Sequence, residues 1–258
     1  MRICFIPLRL GDSARSDGRA KLGGSTAKVI MYLPPTDFLP LRTRDGSYTL
    51  RSEQLGEQYH SLHGAVKESR HVYIEAGLKQ APGERIDVLE VGLGTGLNAL
   101  LTWIIAEERG LQVQYIALEP FPVPTGTLRQ TDHATNLGMP DRTHVFIEMM
   151  AAEPEVEQFV SEAFAFTRSS TSVLDFSAAA EFDLVYFDAF GPAVQPELWT
   201  EDVFRRMHCA LRPGGSLVTY CAKGSVRRAM IAAGFSVERL KAMWGKREMF
   251  RARRPLHP

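Results

Sequence analysis

Short apolar runs alternate with amphipathic stretches along most of the chain. Ile86–Gly92 (IDVLEVG) is continuously apolar with one acid near its end, as a central parallel strand requires. Leu97, Leu100, Leu101, Ile104 and Ile105 then recur at helical spacing, and Gly110 is placed to end that helix. Val113–Glu119 reads as the next strand. A helix over 125–137, a strand over 144–148 and an acidic helix over 153–160 follow, the last leading into a weak strand. Phe182–Asp188 is the next buried strand. Thr200 is placed to cap a helix carrying Val203, Phe204, Met207 and Leu211 on one face. Arg212–Gly215 turns the chain into the strand SLVTYC, and Ser225 is placed to cap a last helix ending at Gly234. Two strands, over 236–240 and 247–251, are close enough in sequence to pair antiparallel. The alternation predicts an α/β fold: a doubly wound, Rossmann-like, mostly parallel sheet with one antiparallel strand from a C-terminal hairpin.

Upstream, Leu41–Leu50 alternates around Asp45-Gly46, a β-hairpin signal, and 53–79 is partly helical in pattern. Residues 1–35 mix Gly, Ser, Arg and Ala with little periodicity and read as a disordered extension. The expected organisation is an extension over 1–35, a hairpin and helical cap over 36–80, and the main domain over 81–258.

Charge changes the picture more than composition does. The formal net charge is zero, yet residues 205–258 carry 13 Lys/Arg against 2 Asp/Glu, and residues 81–204 carry 5 against 20. A basic end of this kind points to a polyanionic partner. No apolar run is long enough to span a bilayer, and the N-terminal ICFIPLRL is too short for a secretory signal. Cys4, Cys209 and Cys221 are too few for a disulfide framework and suit no metal site by spacing, so a cytoplasmic protein without a metal is expected.

The chemistry gathers at strand ends. Glu90–Asn98 (EVGLGTGLN) is a strand, a glycine turn and a helix start. Side chains at Gly92, Gly94 and Gly96 would obstruct a ligand lying across the strand end. Leu97 stands where a dinucleotide fingerprint wants a small residue, which tilts away from a nicotinamide cofactor. Glu119 ends the next strand and suits the two hydroxyls of a ribose, a role common to NAD and S-adenosylmethionine. Asp188 ends a third strand and enters the stiff loop AFGPAVQPELWT. There, exposed carbonyls are expected in a fixed frame, Pro192 limits the loop's freedom, and Phe190 and Trp199 are candidates to stack on a planar group. A helix-end core position fits Trp199 slightly better than stacking does.

The motifs GLGTGLN, FDAFGPAVQPELWT, RPGGSLVTYCAKGSVRRAMIAAGF and GKREMF, with the upstream GEQYHSLHGAVKESRHVYI, resemble the S-adenosylmethionine-dependent methyltransferases of the MnmC/MnmD type, from about Phe38 to Ala252. The resemblance implies methylation of an aminomethyl group at C5 of the wobble uridine in the anticodon stem-loop of tRNA. A separate enzyme would supply the aminomethyl intermediate. It implies Glu90, Gly92, Gly94, Gly96, Asn98, Glu119 and Tyr59 at the cofactor and Asp188 at the attacking amine. Phe190, Pro192, Trp199, Lys223, Arg227, Arg228, Lys246 and Arg247 would meet the RNA. The family's Gly-Asp pair for adenine is replaced here by SSTSVLD, where Ser172 or Asp175 is the expected substitute. Methylation of a small amine or a protein, aminopropyl transfer, and a non-catalytic RNA-binding module are the rival readings.

Overall fold

A computed structural model describes residues 36–241 and 248–256. The expected extension over 1–35, and Lys246 and Arg247, lie outside the described residues. The N-terminal hairpin pairs β1 (Phe38–Arg42) with β2 (Tyr48–Ser52), and β2 pairs briefly with β3 (Glu57–Gln58). Asp45 fixes its turn. Its Oδ1 accepts from the Thr43 hydroxyl at 2.7 Å and from the Ser47 backbone N–H at 3.1 Å, while Gly46 takes a φ of 89°. A short helix, α1 (Ala65–Ser69), runs on into a wider π-turn over Arg70–Glu75.

The main sheet comprises β4 (Arg85–Val91), β5 (Gln112–Leu118), β6 (Gln158–Ser161), β7 (Phe164–Ser169), β8 (Phe182–Phe187), β9 (Leu211–Thr219), β10 (Ser236–Lys241) and β11 (Glu248–Arg253). Their order across the sheet is β10-β11-β9-β8-β4-β5-β7-β6. The five central strands are parallel; β11 lies antiparallel between β9 and β10, and β6 is antiparallel to β7 at the other edge. The expected doubly wound sheet and its closing hairpin are therefore present.

Period-2 alternation divides the core between the two faces. Val88, Leu184, Tyr186 and Val218 pack with α2 (Leu97–Arg109), α5 (Thr143–Ala151) and the N-terminal cap. Leu89, Val185, Phe187 and Leu217 pack with α6 (Glu201–Ala210) and α7 (Gly224–Ala232). Leu50, Val72 and Tyr73 of the cap share the first of these cores. Among the described residues, no helix is long and apolar enough to cross a membrane.

Several local expectations are overturned. Leu211, expected on the face of the Thr200-capped helix, opens β9, and Arg212–Gly215, expected as a turn, lie inside that strand, where the register against β8 shifts. Residues 144–148 belong to helix α5, not a strand: Phe146, Ile147 and Met150 lie buried on one face of a helical turn. The expected acidic helix over 153–160 is instead a loop and strand β6, because its apolar residues pair with β7 rather than forming a helical stripe. The single helix expected over 125–137 is broken into α3 (Thr125–Leu128), a 3₁₀ turn and α4 (His133–Asn136), and Asp132 between them takes a φ of 45°. Helix α7 starts at Gly224 with Lys223 in the capping position and no side-chain cap, so Ser225 lies inside the helix. Thr200, by contrast, caps α6, accepting from Val203 N at 3.4 Å.

At the N-terminal ends of the strands, Arg212 ties two neighbours together. Its guanidinium donates to Asp183 Oδ2 and to Asp87 Oδ2, each at 2.7 Å, and Asp87 N donates to the same Asp183 oxygen at 2.9 Å. The Arg212 side chain is 40% exposed, so solvent screening trims the gain. Replacing Arg212 with Ala leaves two carboxylates facing each other. The expected cost is about 1–2 kcal/mol, a fall in Tm of about 3–6 °C by calorimetry, with partial recovery in Arg212→Lys.

Candidate functional site

The parallel strands β4, β5, β8 and β9 release the chain at one rim, and the candidate residues collect there. Glu90, next to last in β4, is fully buried. The chain then turns through Gly92, whose φ of 89° excludes most side chains. A Cβ at Gly92 would stand 2.9 Å from the Asp188 carbonyl oxygen, so its absence lets the two strand ends close on each other. Asp188 N donates to Val91 O at 2.9 Å, and Gly92 N donates to Leu118 O at 3.1 Å, tying three strand ends together.

Asn98, in the first turn of α2, joins the acids. Its amide donates to Glu90 Oε1 at 2.9 Å and to Asp188 Oδ2 at 2.8 Å, so both of its hydrogens are committed. No cation bonds either carboxyl among the described residues. Burial pushes the Asp188 carboxyl up to about 7, against the pull of Tyr73 and Asn98. Burial likewise raises Glu90 well above the ordinary carboxylate range, and the nearby Asp188 charge adds to this. Two buried acceptors in this cluster, Glu90 Oε2 and Asn98 Oδ1, lack a well-formed hydrogen bond within the protein, and the buried Tyr115 hydroxyl lies beside the Glu90 carboxyl. They suit a cationic amine.

Glu119 follows β5. Its two oxygens each accept one backbone N–H, Gly94 N at 3.1 Å and Phe121 N at 3.0 Å. That leaves further lone pairs on a partly exposed carboxylate. Gly94 has a φ of 52°, and a Cβ there would stand 2.8 Å from the Tyr59 ring. Tyr59 of the cap thus rests on the glycine loop and meets the Phe190 ring edge-on at 4.9 Å. Gly96 packs equally tightly against Met150 of α5, which seats the start of α2. The donor set fits an adenosyl amino acid: acceptors for a diol at Glu119, acceptors for an amine at Glu90 and Asn98, and a glycine turn between them.

The loop after β8 corrects one expectation. Its first carbonyls are taken up internally: Ala189 O accepts from the Tyr220 hydroxyl at 3.0 Å and Phe190 O from the Trp199 indole at 2.8 Å. Trp199 is buried, edge-on to Phe187 at 5.0 Å, so it anchors the loop from the core rather than offering a stacking face. Phe190 and Pro192 remain partly exposed. Lys223, Arg227 and Arg228 are exposed on the first turns of α7, which begins shortly after β9 ends at this rim. Ser172 closes a turn, its hydroxyl accepting from Leu174 N at 3.2 Å, and Asp175 is exposed beyond it.

Two contributors have no site role in the sequence reading. Tyr73, from the π-turn, buries its hydroxyl beside Asp188, and both burial and that neighbouring charge raise its pKa. His133 Nε2 lies 2.9 Å from the Thr95 hydroxyl in the glycine loop, and burial holds the imidazole down to about 3, so it stays neutral. Tyr73 lies within the GEQYHSLHGAVKESRHVYI stretch, where nothing marks it for the site, and His133 sits in no local pattern; the packing of distant elements brings both here.

Three comparisons bear on this geometry. Residues 164–255 match the S-adenosyl-L-methionine-dependent methyltransferase family. The chain is 32% identical over 216 residues to the tRNA 5-methylaminomethyl-2-thiouridine biosynthesis bifunctional protein MnmC of Ectopseudomonas mendocina, covering 77% of this chain and 32% of that protein. The chain thus spans about a third of the length of the curated relatives it matches. The crystal structure of MnmC2 from Aquifex aeolicus superposes with a TM-score of 0.64 at 25% identity, covering 85% of this chain and 70% of that one. A spermidine synthase bound to the transition-state analogue AdoDATO shares the fold alone, with a TM-score of 0.50 at 14% identity over 88% of this chain and 73% of that one. The C-terminal part of the sheet thus matches an S-adenosyl-L-methionine-dependent methyltransferase family, and most of the chain is similar to proteins of the MnmC type in sequence and in fold.

Proposed function

We propose that this chain methylates the aminomethyl nitrogen on C5 of the wobble uridine of tRNA, giving the methylaminomethyl nucleoside. The observation that carries the reading is Asp188: an uncompensated carboxyl, held by Asn98 at the strand rim beside the glycine loop. The names of the relatives, which place MnmC in 5-methylaminomethyl-2-thiouridine biosynthesis, support the choice of substrate. The reading also requires a partner enzyme that uncovers the aminomethyl group. An anticodon stem-loop of this kind is met in the cytoplasm.

Bound at the rim, S-adenosyl-L-methionine supplies an electrophilic methyl group on a positively charged sulfur. The work of this chain is then orientation and proton removal. An alkyl ammonium has no lone pair to offer until it loses a proton. Asp188 accepts that proton at a carboxylate oxygen, and a pKa near neutrality suits the exchange. Asn98 keeps the carboxylate aimed by its bond to Oδ2. Tyr59 and Phe190 form an aromatic corner at the same place, where an unstacked base finds a π face. Glu90 and Asn98 hold the amino-acid end of the donor and Glu119 its ribose. Lys223, Arg227 and Arg228 contact phosphates, which gives affinity without sequence reading.

Asp188→Asn keeps the shape and the bond from Asn98 but cannot take a proton. It is expected to lower kcat by about 100-fold or more in a methyl-transfer assay with hypomodified tRNA, and to remove the rise of kcat/KM with pH through about 7. Unchanged turnover would take Asp188 out of this role. The same variant carries a stability signature. The folded pKa of Asp188 is raised, so its favourable contribution is complete below the unfolded value near 3.8 and is lost as pH rises through about 7. Asp188→Asn is therefore expected to melt higher than the wild type at pH 8, with the gain vanishing at pH 4.

Neutralising Lys223, Arg227 and Arg228 together to Gln is expected to weaken tRNA binding. The slope of log K against log salt should shrink by about 2, with the affinity for S-adenosylhomocysteine unchanged. An unchanged slope would remove α7 from the RNA interface.

A further inference from the structure

The rim continues outward from Glu119 to a carboxylate that the sequence patterns do not mark. Glu119 N donates to Ser169 O at 2.8 Å, so the last residue of β7 sits against the candidate ribose acid. Ser169 Oγ donates to Glu155 Oε1 at 2.9 Å. The same oxygen accepts Ser170 N at 2.8 Å and Ser170 Oγ at 3.2 Å. Glu155 comes from the segment before β6, and its backbone is one of three non-glycine positions with positive φ among the described residues, at 64°. Its own N–H donates to Arg168 O at 2.8 Å. A non-glycine residue in this conformation persists only where its surroundings fix it. Here the serines and Arg168 fix both the backbone and one carboxylate oxygen, and Oε2 takes none of the three bonds.

The order along the rim follows the order of the strands. Asp188 ends β8, the glycine loop follows β4, Glu119 follows β5, and Ser169 with Glu155 ends β7. Three strand spacings separate the first from the last, about 14 Å. A donor with its reactive sulfur near Asp188 and its ribose on Glu119 carries its base onward, in the direction of β7. The Ser172 hydroxyl closes its own turn by accepting from Leu174 N, and Asp175 lies exposed past it. Glu155 is the carboxylate hydrogen-bonded to the end of β7 itself.

Resting on the reading of this rim as an adenosyl-donor site, we infer that Glu155 reads the base of the donor, its carboxylate accepting a hydrogen bond from the exocyclic amine of adenine. An inosine base presents a carbonyl oxygen at that position and meets the carboxylate with repulsion. The burial of Glu155 is slight, and the bonds from Ser169 and Ser170 outweigh it, so the group remains an anion at neutral pH.

The test is calorimetric titration of the full chain with S-adenosylhomocysteine and with S-inosylhomocysteine, in wild type, Glu155→Ala and Glu155→Gly. The glycine variant relieves the positive φ, so weaker binding in it cannot be laid to backbone strain. The wild type is expected to prefer the adenosyl compound. Both variants are expected to lose about fivefold to tenfold in affinity for it, while holding or gaining affinity for the inosyl compound. Glu119→Ala, as the control, should weaken both compounds alike. A preference ratio that is the same in wild type and both variants overturns the inference while leaving the donor site standing. If the wild type binds neither compound, the donor-site reading falls, and this inference with it.

Discussion

The site is organised around a shortage of positive charge. Two carboxyls, Glu90 and Asp188, are packed at one strand rim and share a single amide, Asn98, with no cation bonded to them among the described residues. In a surrounding of low polarity this arrangement favours the neutral acids. It also leaves an electrostatic deficit that a cationic ligand relieves. Under the proposed function a sulfonium donor and an alkyl amine substrate would both bring positive charge, and what is unfavourable in the protein alone would become attraction on binding. A folded protein that carries such a cluster gives up some stability for it.

The rest of the rim holds that cluster still. The Trp199 and Tyr220 side chains each take one carbonyl of the loop after β8, so Asp188 is followed by a segment pinned from the core. The Tyr59 ring lies on Gly94 and against Phe190, which makes the N-terminal cap a wall of the site. A second tie runs through two buried histidines. His133 meets Thr95 of the glycine loop, His60 meets Thr49 of the hairpin at 3.1 Å, and their rings are edge-on at 6.2 Å. Burial depresses both pKa values, His60 to about 4, so the pair is neutral and its hydrogen bonds persist at ordinary pH.

The basic C-terminal segment shows how a charge count differs from a charge surface. Arg205 pairs with Glu201 and Asp202, Arg212 with Asp87 and Asp183, Arg239 with Glu248, and Arg251 with Glu238. Arg206 and Arg254 donate to backbone carbonyls. Much of the positive excess read from sequence is therefore spent inside the fold. What remains for a polyanion on the described part of α7 is compact: Lys223, Arg227 and Arg228.

Period and punctuation determined the central strands, helices α2 and α6, the closing hairpin and the glycine turn, because each depends on residues close together in sequence. That is why Glu90, Glu119 and Asp188 were legible as acids at strand ends. The stretch over 143–161 was not, since short apolar runs suit a helix or a strand equally and only their packing partners decide. Tertiary structure alone decided that Asn98 bridges two acids, that Trp199 faces the core, and that Tyr73, His133 and Glu155 arrive at the rim. Each of those contacts joins residues far apart in the chain, and no local pattern encodes the distance between them once the sheet has twisted and closed.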